Sequence, residues 1–142
     1  MSELFLIAQI AGRAVAIDSR QVESVVDIGS IVPVPCADRQ VMGLAALRSR
    51  VVTVIDTHAA LGLAAAEIHP TRAVITLVEG HHYAILVDSV EDVAPFARLP
   101  LSSGLALQRG WATAGTGIVE RDSEPLLILD LAALVPAAAL AA

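Results

Sequence analysis

The sequence predicts an all-β fold: two small, pseudo-repeated barrels of five strands each, packed together and accompanied by short helices. Three observations carry this reading. The apolar segments are short and rich in β-branched residues, turn residues bound them, and the second half of the chain repeats the pattern of the first. Many short strands with little helix place a chain in the barrel or sandwich class. In order, Leu4–Ile10 ends at the tight turn Ala11-Gly12-Arg13, and Ala14–Ile17 returns as its partner strand. Val22–Val26 and Ile31–Val34 are short extended pieces, the second with Pro33 and Pro35 as edge or loop markers. Val51–Ile55 is almost continuously β-branched and is expected to be a buried strand. Ala73–Val78 and Tyr83–Val87 flank Glu79-Gly80-His81-His82, which reads as a hairpin turn. Leu126–Leu129 is a further apolar run. Helical signals are brief, at Thr57–Leu63 and at the C-terminal Leu131–Leu140.

The internal repeat is the most informative feature. Ala14-Val15-Ala16-Ile17-Asp18-Ser19 returns as Ala84-Ile85-Leu86-Val87-Asp88-Ser89, 70 residues later. Val54-Ile55-Asp56-Thr57 returns around Asp130, 74 residues after Asp56. Two similar offsets at separate places indicate a duplicated unit. The 142 residues then form one domain of two intertwined barrel halves, roughly 14–70 and 71–135, with the N-terminal strand and C-terminal helix crossing over. Halves this small bury little surface alone, so they are expected to share one core, with a groove along their seam. Each repeated Asp follows an apolar strand and precedes a turn or helix, the position of a capping or Asx-turn residue.

Composition narrows the function. Hydrophobic residues make up 56% of the chain, charged residues 17% and aromatics 3%, with a formal net charge of −6. The nine basic side chains are all Arg and are scattered singly, whereas a nucleic-acid binder clusters positive charge against phosphates. The absent Lys and Asn read as codon bias. No apolar run approaches the ~20 residues of a spanning helix, so direct membrane insertion is not expected. No basic segment precedes an apolar stretch at the N-terminus, so no signal peptide is expected. The single Cys36 fits a reducing cytoplasm.

Catalytic patterns fail one by one. An aspartic-protease dyad needs glycine after Asp-Thr/Ser, and this chain has Arg20, His58 and Val90 there. His81 and His82 are adjacent and, on a strand, would face opposite sides, while His58 and His69 are isolated. Cys36 has no nearby His to activate it. Gly115-Thr116-Gly117 superficially resembles a phosphate loop, but the chain has no Lys for one. The expectation is a non-enzyme without metal or cofactor.

One segment stands out: Val41-Met42-Gly43-Leu44-Ala45-Ala46-Leu47-Arg48-Ser49-Arg50-Val51-Val52-Thr53-Val54-Ile55-Asp56. It resembles the Gly-Val-x-Asn-Leu-Arg-Gly-x-Val-Val-Pro-Val-Val-Asp-Leu signature of the CheW family, the chemotaxis coupling proteins. Leu4–Ile10, Pro33-Val34-Pro35, Ala84–Val93 and Leu127–Leu134 are similar to that family's other landmarks, in its order. The resemblance implies two five-stranded barrels of SH3- or OB-like type. It also implies a scaffold that couples the cytoplasmic tips of methyl-accepting chemoreceptors to the regulatory domain of a CheA-type histidine kinase. Other CheW-like domains in an array are further implied partners, and the cytoplasm, at receptor arrays on the inner membrane, the implied location. An adaptor or competitor that binds only kinase or receptor is the first alternative. A sensor holding a small apolar ligand in the seam is the second.

The matching receptor-side positions are Val22, Gly43, Leu47, Arg48 and Val90; the resemblance assigns no kinase-side residues. Arg48 is the sharpest candidate, because its guanidinium fork suits a carboxylate or backbone carbonyls. A solvated loop arginine or an internal ion pair are its other readings. Gly43 would serve a positive φ or a close partner approach, or an ordinary turn. Val22 and Val90 fit either core or contact surface. The chain departs from the pattern at Ala46, Ser49, Thr53 and Thr57. Glu23 stands one residue before the family's usual Glu position, which is Ser24 here.

Overall fold

The computed structural model describes residues 2–34, 40–47, 50–63, 70–101, 111 and 114–135. β-Branched and apolar alternation produces ten strands: β1 (Ser2–Ile10), β2 (Arg13–Asp18), β3 (Ser24–Asp27), β4 (Val41–Leu47), β5 (Arg50–Ile55), β6 (Arg72–Val78), β7 (His81–Val87), β8 (Ser89–Ala97), β9 (Gly115–Arg121) and β10 (Glu124–Leu129). A short helix, α1, spans Thr57–Ala60, Trp111 and Ala114 are helical, and 3-10 turns cover Ser19–Gln21 and Leu131–Leu134. The strands form two five-stranded sheets. The first has the order β8-β1-β2-β10-β9 and the second β3-β6-β7-β5-β4.

These two orders are one order written twice. Replacing each strand of the first sheet by its repeat counterpart five strands away gives the second sheet. Each sheet therefore takes two strands from one repeat and three from the other. The exchange is sealed at the sheet centres, where β2 pairs in parallel with β10 and β7 with β5. Antiparallel ladders complete each sheet, such as Leu6↔Ile17 between β1 and β2 and Val74↔Ile85 between β6 and β7.

Central strands are buried on both faces, which is why their sequences are nearly continuous apolar runs. On β7, Tyr83, Ile85 and Val87 face a core shared by the two sheets, while Ala84 and Leu86 fill a smaller core belonging to the second sheet alone. On β2 and β10, Val15, Ile17, Leu127 and Leu129 enter the shared core, and Ala16, Leu126 and Ile128 the private core of the first sheet. Packed side chains thus fill the interior of the seam between the sheets.

Each sheet is also drawn round on itself. The chain leaving edge strand β3 returns to the opposite edge, where Val32 and Leu44 exchange backbone hydrogen bonds of 2.8 and 2.9 Å. The chain leaving β8 does the same, with Leu99 and Ile118 exchanging bonds of 2.8 and 2.9 Å. Both crossings lie beside a bulge and a glycine: Met42-Gly43 on β4 and Thr116-Gly117 on β9. A β carbon on Gly43 would stand 2.7 Å from Ile31 Cγ2 and 2.8 Å from the Val32 carbonyl carbon, and one on Gly117 2.8 Å from the Leu99 carbonyl oxygen.

Several local expectations are refined. β4, β8 and β9 are strands that the apolar-run criterion passes over. The turn between β6 and β7 is only Glu79-Gly80, with φ of 51° and 79°, so His81 and His82 begin β7. The expected helix at Thr57–Leu63 is one turn long, followed by Gly62 at φ 71°. Leu131–Leu134 is a 3-10 turn, and residues 136–140 of the expected C-terminal helix lie outside the described residues. Ile31–Val34 contributes the single Val32 bridge rather than a strand.

Candidate functional site

The strand-end aspartates act mainly as caps. Asp18, Asp56 and Asp130 accept from the backbone N–H of Arg20, Ala59 and Ala132 at 2.9, 3.3 and 3.1 Å. Asp88 departs from its repeat mate: its Oδ2 accepts from Gly12 N–H at 3.1 Å and ties β7 to the β1–β2 turn. Gln21 joins two of the caps, donating to Asp130 Oδ1 at 2.7 Å and accepting from Leu131 N–H at 3.0 Å.

Around Asp18 lies a charged network. Arg20 and Arg98 each donate to Asp18 Oδ2, at 2.7 and 2.8 Å, and both reach Glu3 at 3.2–3.3 Å. The Arg20 hydrogen bond holds the Asp18 carboxyl below the usual carboxylate range, against the opposing effect of burial. Arg98 also lies 5.4 Å from the centre of the Phe5 ring. The network borders an open cleft of about 510 Å³ that the receptor-side positions Val22, Gly43, Leu47 and Val90 do not line.

Leu47 and Val90 line two other open clefts, one each. The larger, of about 730 Å³, is bounded by Glu23–Asp27 on one side and Leu47 and Arg50 on the other, with Ile75 between them. Leu47 is half-buried at the end of β4, on the same strand face as Ala45 and Gly43, which are buried. Val22 immediately precedes the cleft and is half-buried against the shared core. The second cleft, of about 450 Å³, runs from Asp27, Thr71 and Arg72 to Asp88, Ser89 and Val90, so Val90 lies on its far lip. Asp27 borders both clefts and pairs with Arg72 at 3.4 Å.

Gly43 does not reach this surface: it is buried beneath the Val32 crossing, which takes the space a side chain would need. Arg48, with Ser49, lies outside the described residues; in sequence the two sit between Leu47 and Arg50, which pair with each other across β4 and β5.

The cluster at the cleft's edge is one that sequence reasoning passes over. Glu23 Oε1 accepts from Arg50 Nη1 at 3.2 Å, and Glu23 Oε2 lies 2.9 Å from His82 Nε2. The repeat has a counterpart in Glu91, which accepts from Gln9 at 2.7 Å and Arg121 at 3.2 Å. Those bonds, that from Gln9 foremost, hold the Glu91 carboxyl below its ordinary range despite desolvation. Aligning Val22-Glu23 with Val90-Glu91 is the signal that finds both glutamates. Among the described residues no group of three or more His, Cys, Asp or Glu side chains is placed to hold a metal ion. No helix among them is long and apolar enough to cross a membrane.

With this geometry in view, comparison with known proteins is direct. The family model for the CheW-like domain matches residues 4–139. Among solved structures, the chain is similar to the scaffolding protein TtCheW from Thermoanaerobacter tengcongensis, with a TM-score of 0.78 at 21% sequence identity, covering 92% of this chain and 90% of that one. No curated protein matches the chain closely enough to be counted. The structural likeness shows a shared fold, and the family-model match across nearly all of the sequence places the chain in the family of CheW-like domains.

Proposed function

We propose that this protein is a chemotaxis scaffold that couples methyl-accepting receptors to a CheA-type histidine kinase by binding alone, in the cytoplasm beneath a receptor array. The observation that carries the reading is the open cleft between β3 and the β4–β5 hairpin, on a fold of this family. Its floor and walls offer Val25, Val26, Leu47 and Ile75, and its rim carries Glu23, Asp27 and Arg50. An apolar trough with a charged rim suits one face of an amphipathic helix, the shape of a receptor tip. An open cleft of this kind supports helix docking over enclosure of a small ligand. Leu47, Val22 and Val90 present contact surface, Arg48, next to Leu47 in sequence, supplies a guanidinium, and Gly43 acts indirectly by admitting the Val32 crossing over β4.

Co-sedimentation with receptor cytoplasmic fragments and the kinase tests the reading. The wild-type chain pellets with both partners, and Arg48→Glu loses the receptor while keeping the kinase. Binding to one partner only would make the protein an adaptor or competitor. Binding to neither would overturn the proposal.

A further inference from the structure

At the edge of the Leu47 cleft, three side chains meet whose contacts cannot all be satisfied in one protonation state. His82 Nε2 lies 2.5 Å from Arg50 Nη1 and 2.9 Å from Glu23 Oε2, and Arg50 Nη1 lies 3.2 Å from Glu23 Oε1. A guanidinium only donates hydrogen bonds, and an ionised carboxylate only accepts them. The contact with Arg50 therefore needs a bare Nε2, on a neutral ring with its proton on Nδ1. The contact with Glu23 needs a proton on that same Nε2. One nitrogen cannot serve both.

We propose that Glu23, Arg50 and His82 form a proton-driven latch on this cleft, in which protonation of His82 turns Nε2 to donate to Glu23 and replaces its hydrogen bond from Arg50 by repulsion between two cations. With the ring neutral, Arg50 donates to both His82 and Glu23 and is held at the rim. With the ring protonated, Nε2–H donates to Glu23 and the ring's positive charge faces Arg50. Glu23 and Arg50 both line the cleft, so protonation changes the charge that any occupant meets there, from a neutral cluster to one with a net positive charge. Histidine is the side chain whose charge ordinarily changes between about pH 5 and 8. A bound helix with a carboxylate opposite Arg50 is then held more tightly in acid; this consequence, unlike the latch chemistry, rests on the receptor reading of the cleft.

The surroundings leave the exchange to these three groups. β6 places uncharged Leu77 opposite His82, β5 supplies Arg50, and the chain entering β3 supplies Glu23. His81 precedes the ring on its own strand and points to the opposite face, and Glu79 closes the preceding turn. Neither makes an ion pair with it among the described residues, and Arg48 lies outside them. The ring is about one-quarter accessible, with a side-chain exposure of 24%, so solvent protons reach it.

The test is an NMR titration of the isotope-labelled full chain from about pH 8 to about pH 5, following the His82 ring and the Arg50 Nε–Hε resonance together. The latch requires both signals to move with one midpoint, and the Arg50 movement to be lost in His82→Gln. An Arg50 resonance that stays fixed while His82 titrates would overturn it, as would one that moves unchanged in the variant. The wild-type titration alone decides the matter if the variant fails to fold. Because no partner is present, failure of the latch and failure of receptor binding are separate results.

Discussion

Where the chain crosses over β4 and β9, a hydrogen atom at Gly43 and at Gly117 is all that fits between two backbones. Gly43→Ala and Gly117→Ala should each destabilise the protein by about 1–3 kcal/mol through overpacking, measured by urea unfolding. Gly29→Ala, with nothing within 4 Å of the added carbon, should stay within about 0.5 kcal/mol of wild type. Asp18 makes a second residue-scale case. Its carboxyl is depressed chiefly by the Arg20 hydrogen bond, so the stability it contributes is present above the unfolded carboxylate value, about 4, and is lost as pH falls through the lower folded value. Asp18→Asn should therefore lower the melting temperature at about pH 7, and the gap from wild type should close as pH falls below that lowered folded value. Arg48 and Leu47 stood out in the sequence because a family pattern surrounds them. Glu23, Arg50 and His82 did not, because β3, β5 and β7 bring them together across 59 residues of chain.

At the scale of elements, three hairpins turn on two residues of positive φ: Ala11-Gly12 (54° and 76°), Glu79-Gly80 (51° and 79°) and Asp122-Ser123 (51° and 68°). Such turns match the right-handed twist of their strands, and glycine or asparagine relieves the left-handed backbone that they require. The third turn has neither. Replacing Asp122-Ser123 by Asn-Gly should stabilise the β9–β10 hairpin by about 0.5–1 kcal/mol in thermal unfolding. Strands with apolar residues at consecutive positions, such as β7, were legible because burial on both faces leaves no polar alternation to confuse the pattern, whereas Val51 of the equally apolar β5 is exposed. β9 was not, since its opening Gly115-Thr116-Gly117 reads as a loop until the crossing of Leu99 explains the glycine. The signal was nonetheless present: Gly117 follows Gly43 by 74 residues, the same offset that relates Asp130 to Asp56.

For the whole molecule, the exchange of strands between repeats makes the two sheets one cooperative unit. Leu129 and Ile85 sit in different sheets but in the same central core, each fully buried. Leu129→Ala should cost about 2–5 kcal/mol. Amides of both sheets should lose hydrogen-exchange protection together in that variant, because the second sheet is then left with only its smaller private core. Protection lost from the first sheet alone would show that the sheets open independently.

By itself the sequence determined that the fold is all-β, that it is duplicated, and which family pattern its hairpin follows. These are properties of local periodicity and spacing, which a linear reading registers. Only the tertiary structure decided which strands share a sheet, since β2 meets β10 across more than a hundred residues and no local pattern encodes that pairing. It also decided that the interior of the seam is packed, while an open cleft crosses its margin from Asp27 and Arg72 to Val90. The reason is burial on both faces: once the central strands must cover two cores, the sheets close on each other, and only their margins are left to receive a partner.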